Sequence, residues 1–342
     1  MAKVIGVLTA GGDCPGLNAV IRGVATRATE VHDAEVLGIR NGWEGLMEGR
    51  TMPLDRDAVR GILTRGGTIL GTSRMDPYVH GDGLASCQRT IQRNGIDTLI
   101  VIGGDGTLAS ALKLSEEGLP VIGVPKTIDN DINGTDITFG FDTAVQIASD
   151  AIDRLASTAE AHNRVIVVEV MGRTKGWIAT YAGISGGADA ILIPERPYDL
   201  NEVADIVRAR HRHGKSYSII VVAEGVEPPP GTQMETRTDA FGFARLGGVG
   251  YSVAADLEEL TGFETRVSVL GHIQRGGTPT AFDRVLATRL GVAAADLAVD
   301  GRSGVMAAVR GMNIEPVSME EACATVRGVP PELFDTAATF FQ

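Results

Sequence analysis

The sequence predicts an α/β fold, with parallel sheets flanked by helices, and three observations support that prediction. Short apolar runs rich in β-branched residues alternate with amphipathic helical stretches along most of the chain. The 44 glycines cluster in pairs after the apolar runs, as tight turns from strand to helix require. At 342 residues the chain is too long for one compact core, so we expect two domains that share a cleft.

The individual elements follow from the length and periodicity of each apolar segment. The predicted strands are short and apolar: Val4–Thr9, Glu35–Ile39, Thr98–Ile102, Val121–Val124, Val165–Val170, Ala190–Ile193, Ser218–Ala223, Thr265–Leu270 and Val305–Arg310. The predicted helices are longer and amphipathic: Asn18–Val31, Thr107–Glu117, Asp142–Ala161, Asn201–His213, Val249–Leu260 and Ala281–Ala298. Proline, glycine and polar residues interrupt this pattern from Glu227 to about Asp239, which we interpret as a surface excursion within a domain.

Charge and cysteine content argue against several classes of function. The net charge of −12 disfavours nucleic acid or an anionic membrane as partner, because both require a basic surface. Cys14, Cys87 and Cys323 lie far apart and lack CxxC spacing, so neither a disulfide framework nor a zinc site is predicted. No apolar run reaches the ~18 residues that a membrane span needs. We therefore expect a cytoplasmic protein in a reducing compartment.

A glycine-rich loop over residues 10–18 lies between the first predicted strand and the first predicted helix. Glycine allows backbone N–H groups to approach an anion closely, and the N-terminus of the following helix carries partial positive charge. The loop therefore favours phosphate binding. It is neither a Walker A sequence nor GxGxxG, so a plain glycine turn is the alternative.

A second loop, Gly103 to Thr107, follows the strand predicted at Thr98–Ile102 and places Asp105 at the carboxyl end of that strand. Ligands of open α/β sheets bind at this edge. A carboxylate beside glycine N–H groups can hold Mg²⁺ through water while the N–H groups hold phosphate oxygens. The alternative is that Asp105 caps the next helix. The GGDGT pattern also resembles NAD kinases and lipid kinases.

A third segment, Pro125 to Asp131, places Asp129 and Asp131 on a short polar loop. Phosphoryl transfer needs a hydroxyl nucleophile in line with the phosphorus and a base that takes its proton. One of these carboxylates can act as the base while the other orients it. The alternative is a pair of Asx turns.

Arginines at the ends of apolar runs supply the local positive charge that the whole chain lacks. The four are Arg164, Arg173, Arg266 and Arg275. Because arginine binds phosphate with two parallel hydrogen bonds, the set favours a sugar-phosphate site, although each arginine alone could be a solvated surface charge. His272 stands close to Arg275 and could equally be a core histidine.

Six motifs occur along the chain in the order found in one enzyme family: GGDCPGLN at 11–18, GGDGT at 103–107, PKTIDND at 125–131, MGR at 171–173, AEG at 223–225 and LGHIQRGG at 270–277. With them the chain resembles bacterial 6-phosphofructokinases over nearly its full length. The resemblance implies a two-domain phosphofructokinase-like fold. A larger nucleotide-binding domain would span 1–140 and about 274–324, and a smaller sugar-phosphate-binding domain 141–273 and about 325–342. It also implies a homotetramer, or a dimer, with substrate sites shared between subunits.

The resemblance also implies roles for individual residues. Donor phosphates would be bound by Gly12, Arg74, Gly104, Asp105, Gly106 and Thr107, with Asp105 binding Mg²⁺. Asp129 would deprotonate the 1-hydroxyl of fructose 6-phosphate, with Thr127 and Arg173 steadying the transferring group. The sugar phosphate would be held by Met171, Gly172, Arg173, Glu224, His272 and Arg275. Arg164 and Arg266 would reach it from the neighbouring subunit.

Two positions bear on the phosphoryl donor. Pyrophosphate-using members of the family carry Asp at the position of Gly106, where a carboxylate would repel the α-phosphate of ATP. Two like charges ~4 Å apart cost roughly 4 kcal/mol at an effective dielectric of 20, about a thousandfold in binding. Gly106 therefore favours ATP, whereas Lys126 is typical of the pyrophosphate-using members, since ATP-specific bacterial enzymes have Gly there. The chain is thus similar to the mixed-substrate branch of actinobacteria.

The implied activity is transfer of the γ-phosphoryl group of Mg-ATP to D-fructose 6-phosphate, which gives fructose 1,6-bisphosphate and ADP, the committed step of glycolysis. Pyrophosphate is the alternative donor. Two other hypotheses belong to different classes. One is a lipid or NAD kinase that shares only the GGDGT pattern. The other is a non-catalytic sugar-phosphate sensor, which would require loss of the base or the metal ligand, yet Asp105 and Asp129 are both present.

Overall fold

The computed structural model describes residues 2–79, 81–228, 237–238, 244–245 and 247–341. These residues divide into two compact units, Met1–Thr143 with Arg275–Arg327 and Ala144–Gln274 with Gly328–Gln342. The excursion interpreted from Glu227 to about Asp239 lies largely outside the described residues. Within the described part of the chain, no helix combines the length and apolar character needed to cross a bilayer.

The chain passes between the units three times, after Thr143, after Gln274 and after Arg327. The first unit opens with β1 (Val4–Thr9), α1 (Leu17–His32), β2 (Glu35–Ile39), α2 (Gly42–Glu48), β3 (Thr51–Pro53), α3 (Gly83–Arg93), β4 (Thr98–Gly103), α4 (Asp105–Glu116), β5 (Val121–Pro125) and the start of α5 (Phe141–His162). The second unit contains β6 (Val165–Val170), α6 (Trp177–Ser185), β7 (Ala190–Leu192), α7 (Leu200–Arg212), β8 (Ser218–Ala223), β9 (Arg237–Thr238), β10 (Ala244–Arg245), α8 (Val249–Thr261) and β11 (Thr265–Val269). A 3₁₀ helix over Gly271–Arg275 leads back to α9 (Ala281–Val299), β12 (Val305–Arg310), β13 (Asn313–Ser318) and α10 (Met319–Ala324) of the first unit, and α11 (Pro331–Ala338) closes the second.

The sheet of the first unit has seven strands among the described residues, in the order β13-β12-β5-β4-β1-β2-β3. The five inner strands are parallel, with Leu8 opposite Val101 and Val101 opposite Gly123. Both outer strands, β3 and β13, run antiparallel. The fully buried inner strands β4 and β5 are the continuous apolar runs expected of a sheet covered on both faces.

The sheet of the second unit has the order β11-β6-β8-β7, and its described strands are all parallel. Every residue of β6 and β8 is buried. In addition, β9 and β10 form a short antiparallel pair. The two sheets confirm the predicted α/β class with parallel sheets flanked by helices.

The predicted strands and helices are confirmed within a few residues, but several further elements were not predicted: the helices α2, α3, α6, α10 and α11, the 3₁₀ helix, and the strands β3, β9, β10 and β13. Strand β13 is largely exposed and contains Pro316, as an edge strand can, and an apolar-run criterion does not detect it. The short helix α2 and the strongly apolar α6 carry little helical periodicity, and neither was predicted. Helix α4 begins at Asp105, two residues before the predicted start at Thr107, which places Asp105 and Gly106 in its first turn.

Candidate active site

The predicted site residues fall into two groups, one in each unit. The first unit holds Gly12, Arg74, the segment 103–107, Lys126, Thr127, Asp129 and Arg275, and the second holds Arg164, Met171, Gly172, Arg173, Glu224, Arg266 and His272. In the first unit, Gly12, the segment 103–107 and the segment from Lys126 to Asp129 lie at the carboxyl ends of the neighbouring strands β1, β4 and β5, where ligands of parallel sheets bind.

The first glycine loop is held by the chain segment that carries Arg74. The N–H of Gly11 donates to the carbonyl of Ser73 at 2.9 Å, and the hydroxyl of Thr72 donates to the carbonyl of Gly11 at 2.6 Å. Gly11 and Gly16 have φ values of 81° and 105°, which residues with a side chain rarely adopt. Arg74, which follows Ser73 in this segment, is exposed.

Arg275 lies against the first glycine loop. Its Nη1 donates to the carbonyl of Asp13 at 3.3 Å. A Cβ at Gly12 would lie 2.9 Å from the same Nη1, so any side chain at this position would displace the guanidinium. The resemblance assigns Arg275 to the sugar phosphate, yet in the first unit Arg275 contacts the glycine loop that contains Gly12, which the resemblance assigns to the donor.

Lys126 is buried, with 3% of its surface exposed, and its ammonium donates to the carbonyl of Gly12. Burial lowers the pKa of Lys126, and the charge of Arg275 acts in the same direction, whereas Asp129 opposes the shift. The backbone N–H of Lys126 donates to the carbonyl of Gly103 at 2.9 Å. The side chain of Lys126 thus contacts the first glycine loop, while its backbone joins the ends of β4 and β5.

The segment 103–107 is packed on one side and open on the other. A Cβ at Gly103 would lie 2.2 Å from the side chain of Thr107, whereas a Cβ at Gly106 would have no atom within 4 Å. Gly104 is the N-cap residue of α4, and Asp105 is its first helical residue, not the cap. The N–H groups of this first turn have no partner within the helix, and such groups form an anion-binding site.

Asp105 fits a metal ion that arrives with a phosphorylated donor. Among the described residues, no three or more His, Cys, Asp or Glu side chains are grouped so as to hold a metal ion. Mg²⁺ commonly keeps several waters and is held by one or two carboxylates together with substrate phosphates. Asp105 is exposed in the first turn of α4, which gives one such carboxylate beside the N–H groups that would hold the phosphates.

The loop with the two carboxylates is buried and tightly folded. Asp129 and Asp131 are 3% and 4% exposed, and Asn130 between them has a φ of 52°. Thr127 Oγ1 accepts from the N–H of Asp129 at 3.0 Å, and Asn130 Oδ1 accepts from the N–H of Thr138 at 3.0 Å. The side chains of Thr127 and Asn130 thus hold this turn from within the loop.

In the second unit, Glu224 organises the turn that follows β6. Its Oε1 accepts from the N–H of Gly172 at 3.2 Å and from the N–H of Arg173 at 2.9 Å. Gly172 has a φ of 148° and Arg173 a φ of 52°. The second value is unfavourable for a residue with a side chain. Glu224 follows the carboxyl end of β8, so the adjacent strands β6 and β8 bring the two motifs together.

Gln274 is a site residue that sequence reasoning did not single out, although it lies inside the HIQRGG motif. It is fully buried, and its amide nitrogen donates to the carbonyl of Gly271 at 3.0 Å. Its Oε1 accepts from the N–H of Met171 at 3.4 Å. Gln274 therefore ties the 3₁₀ helix to the turn after β6. His272 in that helix is exposed, which rules out the alternative of a core histidine.

Arg164 and Arg266 lie at the other end of the same sheet. They stand next to the amino ends of β6 and β11, where Val165 is opposite Thr265. Glu264 accepts a hydrogen bond from Arg164 at 2.8 Å and pairs with Arg266, and the bond from Arg164 lowers the pKa of that exposed carboxylate. Since a strand rises about 3.3 Å per residue, the six residues of β6 separate these arginines from Arg173.

Two buried carboxylates beside the predicted residues were not anticipated. Glu169 in β6 accepts from the N–H groups of Gly248 and Gly250, both at 2.8 Å, and so holds the start of α8. Asp283 is fully buried at the start of α9 and accepts from the N–H of Gly140 at 2.9 Å. The acidic residue inside the apolar strand VIVVEV is a signal that could have revealed Glu169, whereas Asp283 in the first turn of α9 carries no such signal.

Comparison with known proteins agrees with this arrangement of motifs. Residues 4–298 match the sequence profile of the family described as Phosphofructokinase. The match spans both units, which contradicts the hypothesis of a lipid or NAD kinase that shares only the GGDGT pattern.

Individual relatives are similar over nearly the whole chain. The pyrophosphate–fructose 6-phosphate 1-phosphotransferase of Amycolatopsis methanolica is 54% identical over 98% of this chain and 99% of its own length. ATP-dependent 6-phosphofructokinase 3 of Streptomyces coelicolor is 52% identical over 95% of this chain and 96% of its own. The crystal structure of Pichia pastoris phosphofructokinase in the T-state is 33% identical with a TM-score of 0.84, covering 99% of this chain and 36% of that longer one. From its motifs, its fold and these relatives, the chain belongs to the phosphofructokinase family of enzymes.

Proposed function

We propose that this enzyme transfers the γ-phosphoryl group of Mg-ATP to the 1-hydroxyl of D-fructose 6-phosphate. The observation that carries the choice of ATP is the open space at Gly106, where a Cβ would have no atom within 4 Å. With no carboxylate in that space, the first turn of α4 offers its N–H groups to a donor without repelling an α-phosphate. Asp105 in the same turn would hold Mg²⁺, which when bound neutralises charge on the donor phosphates.

The proposed chemical step is an in-line displacement at the γ-phosphorus. Asp129 takes the proton of the 1-hydroxyl, whose oxygen forms a new bond to the γ-phosphorus. The bond from the γ-phosphorus to the β,γ-bridging oxygen breaks, and ADP leaves with the electron pair of that bond. A general base of this kind typically contributes 10²- to 10⁴-fold in rate. Thr127 and Arg173 would steady the transferring group.

Binding of the acceptor is proposed for the residues that the resemblance assigns to the sugar phosphate, Arg275 among them. The turn over Met171, Gly172 and Arg173 would hold the sugar phosphate through its backbone and guanidinium, with Glu224 and His272 completing the set. Arginine suits this role because its planar guanidinium matches the oxygens of a phosphate. Fructose 6-phosphate is thus the proposed acceptor.

A neighbouring subunit is proposed to complete the acceptor site. Arg164 and Arg266 stand at the amino ends of β6 and β11, and Arg173 follows the carboxyl end of β6. One chain cannot bring both ends of a strand to one phosphate. We therefore propose a homotetramer, or a dimer, in which Arg164 and Arg266 of one chain act at the site of another.

Pyrophosphate is the second candidate donor, and Lys126 is the observation that favours it. The side chain of Lys126 lies buried against the first glycine loop, where a cation stabilises a compact, highly charged donor. The relative from Amycolatopsis methanolica carries pyrophosphate in its name, whereas the relative from Streptomyces coelicolor carries ATP. The family assignment therefore accommodates either donor.

A two-donor assay decides between them. Purified enzyme would be given fructose 6-phosphate with Mg-ATP or Mg-pyrophosphate, and fructose 1,6-bisphosphate formation would be measured over a range of donor concentrations. We expect kcat/KM to be greater with ATP. Turnover with pyrophosphate alone would overturn the proposal, and absence of product with either donor would refute the assigned acceptor.

A further inference from the structure

Arg327 contacts the loop between Asp129 and Asp131 and has no role in the sequence analysis above. Its guanidinium Nη2 donates to the carbonyl of Asn130 at 2.9 Å. Its backbone N–H donates to the carbonyl of Asp131 at 2.7 Å. One residue therefore binds two consecutive carbonyls of the loop, and the first of them lies directly between the two buried aspartates.

The central residue of the loop is held both from within the loop and from outside it. Asn130 has a φ of 52°, in the left-handed region, which asparagine enters more readily than most residues with a side chain. The Asn130 side chain is held from within the loop, since its Oδ1 accepts from the N–H of Thr138 at 3.0 Å. Its carbonyl, by contrast, is held from outside by Arg327. The orientation of the peptide after Asn130 sets the direction of the backbone between Asp129 and Asp131.

The segment around Arg327 is itself fixed to the loop. Ile132 and Val326 form an antiparallel bridge, which places the Arg327 backbone alongside the residues that follow Asp131. The Asn133 side chain donates to the carbonyl of Glu321 at 2.8 Å, close to the end of α10. These contacts bring the guanidinium to a defined position, and a shorter or uncharged side chain could not reach the Asn130 carbonyl in the same way.

We infer that Arg327 is a positioning residue for the proposed base Asp129, acting through the peptide of Asn130. This inference rests on the proposed function. Arg327 holds the Asn130 carbonyl so that the Asp129 carboxylate keeps the direction needed to accept a proton from the acceptor hydroxyl. It therefore acts on the chemical step more than on the binding of either substrate.

The test compares Arg327→Ala and Arg327→Lys with wild type and with Arg289→Ala. Arg289 is a matched control, because it also donates from Nη2 to a backbone carbonyl, that of Met312, which belongs to the connection of β12 and β13. Initial rates are measured with saturating and limiting fructose 6-phosphate and donor, and each variant is checked by thermal unfolding. The Arg327→Ala enzyme is also assayed with added guanidinium chloride at low millimolar concentration.

We expect Arg327→Ala to lower kcat about 100-fold, as small misplacements of catalytic groups do, with both KM values within a few-fold of wild type. The lysine variant should recover part of the loss, and guanidinium should raise kcat of the alanine variant, since it restores the missing donor. The Arg289→Ala variant should keep wild-type kcat. A merely structural role would lower the unfolding temperature without rescue by guanidinium.

Other results would overturn the inference. A folded Arg327→Ala enzyme with wild-type kcat would show that Asn130 keeps its orientation without the guanidinium. Loss confined to a higher KM for either substrate would make Arg327 a binding residue. If wild-type enzyme formed no fructose 1,6-bisphosphate with either donor, the proposed function itself would fail. If wild type were active and Arg327→Ala equally active, only the inference on Arg327 would fail.

Discussion

Asp283 at the start of α9 accepts hydrogen bonds from both the backbone N–H and the hydroxyl of Thr143, at 2.8 and 2.5 Å. Thr143 lies in the first turn of α5, so the two helices begin at a shared carboxylate. In the reverse direction, the hydroxyl of Thr280, the N-cap residue of α9, donates a hydrogen bond to Asp142 at 2.6 Å. These hydrogen bonds hold the start of α5, which directly follows the segment from Lys126 to Gly140, against the start of α9.

This arrangement predicts a specific pH dependence of stability. Burial raises the pKa of Asp283 from 3.8 to about 6, so between these values the folded protein binds more protons than the unfolded chain. The contribution of Asp283 is therefore fully present below about pH 4 and is lost as the pH rises through 6, a change of about 3 kcal/mol. The measurement is the free energy of unfolding of wild type minus that of Asp283→Asn, which should fall between pH 4 and 7.

The control for this prediction is Asp82→Asn. Asp82 is exposed and accepts a hydrogen bond from Arg89 at 2.8 Å, which lowers the pKa of its carboxylate. The corresponding difference should have the opposite sign of slope: it should rise with pH below about pH 4, where the unfolded chain binds more protons, and stay nearly constant between pH 4 and 7. If the Asp283 difference did not vary between pH 4 and 7, the raised pKa of Asp283 would be wrong.

The Gly106→Asp substitution tests the choice of donor. A Cβ at position 106 meets no atom within 4 Å, and an acidic residue in the first turn of α4 is favourable for the helix, so the variant should fold. We expect kcat/KM for ATP to fall roughly a thousandfold, the effect of about 4 kcal/mol of repulsion at an effective dielectric of 20. Use of pyrophosphate should fall much less, because pyrophosphate lacks the adenosine and its α-phosphate linkage.

Gly106→Ala is the matched control for the charge. Alanine adds a Cβ to the same open space without a carboxylate, so kinetics with ATP should stay within a few-fold of wild type. If alanine lowered kcat/KM for ATP as much as aspartate does, the effect would come from volume and the electrostatic argument would be refuted.

Substitution of Glu224 separates support of the turn from binding of the substrate. Glu224 Oε1 accepts from the N–H groups of Gly172 and Arg173. Alanine removes that acceptor, so we expect a loss of about 1–3 kcal/mol of stability and a higher KM for fructose 6-phosphate. Glutamine retains an acceptor and should preserve most of the stability. Equal increases in KM for both variants, with unchanged unfolding free energies, would instead show that the negative charge of Glu224 acts on the substrate directly.

Much of the fold follows from the sequence because its strands are continuous apolar runs of β-branched residues. The inner strands β4 and β6, for example, are buried along their whole length and carry no competing signal. The start of α4 was placed two residues too late because glycine and aspartate have low helix propensity. The position of Asp105 at the N-terminus of α4, where a carboxylate is favourable, outweighs that low propensity.

The site could be predicted only where residues lie close together in the sequence. The GGDGT and PKTIDND segments show their chemistry locally, and β1, β4 and β5 bring them to one sheet edge. The contacts of Asp283 and Arg327 join residues 140 or more positions apart in the sequence, so no local sequence pattern predicts them. The domain limits and residue roles that the resemblance implies remain predictions.

Complementation between two inactive variants tests whether sites are shared. Arg173→Ala and Arg266→Ala would be co-expressed with different affinity tags, and hybrid oligomers would be purified through both tags. After purification through both tags, a site that takes Arg173 from one chain and Arg266 from its neighbour is intact in about half of the sites of hybrid dimers, or about 30% of those of randomly mixed hybrid tetramers. We expect the hybrids to recover about the corresponding fraction of wild-type kcat, far above either parent.

The decisive control is a hybrid of Arg164→Ala with Arg266→Ala. Both arginines stand next to the amino ends of paired strands, and both contact Glu264, so one chain must supply them together. In this hybrid every chain lacks one of the two, and no pairing of chains restores a complete set. Activity should therefore stay at the level of the parents. Recovery in the control would mean that the arginines act independently of each other, and no recovery in the Arg173 and Arg266 hybrid would mean that each site is built from a single chain.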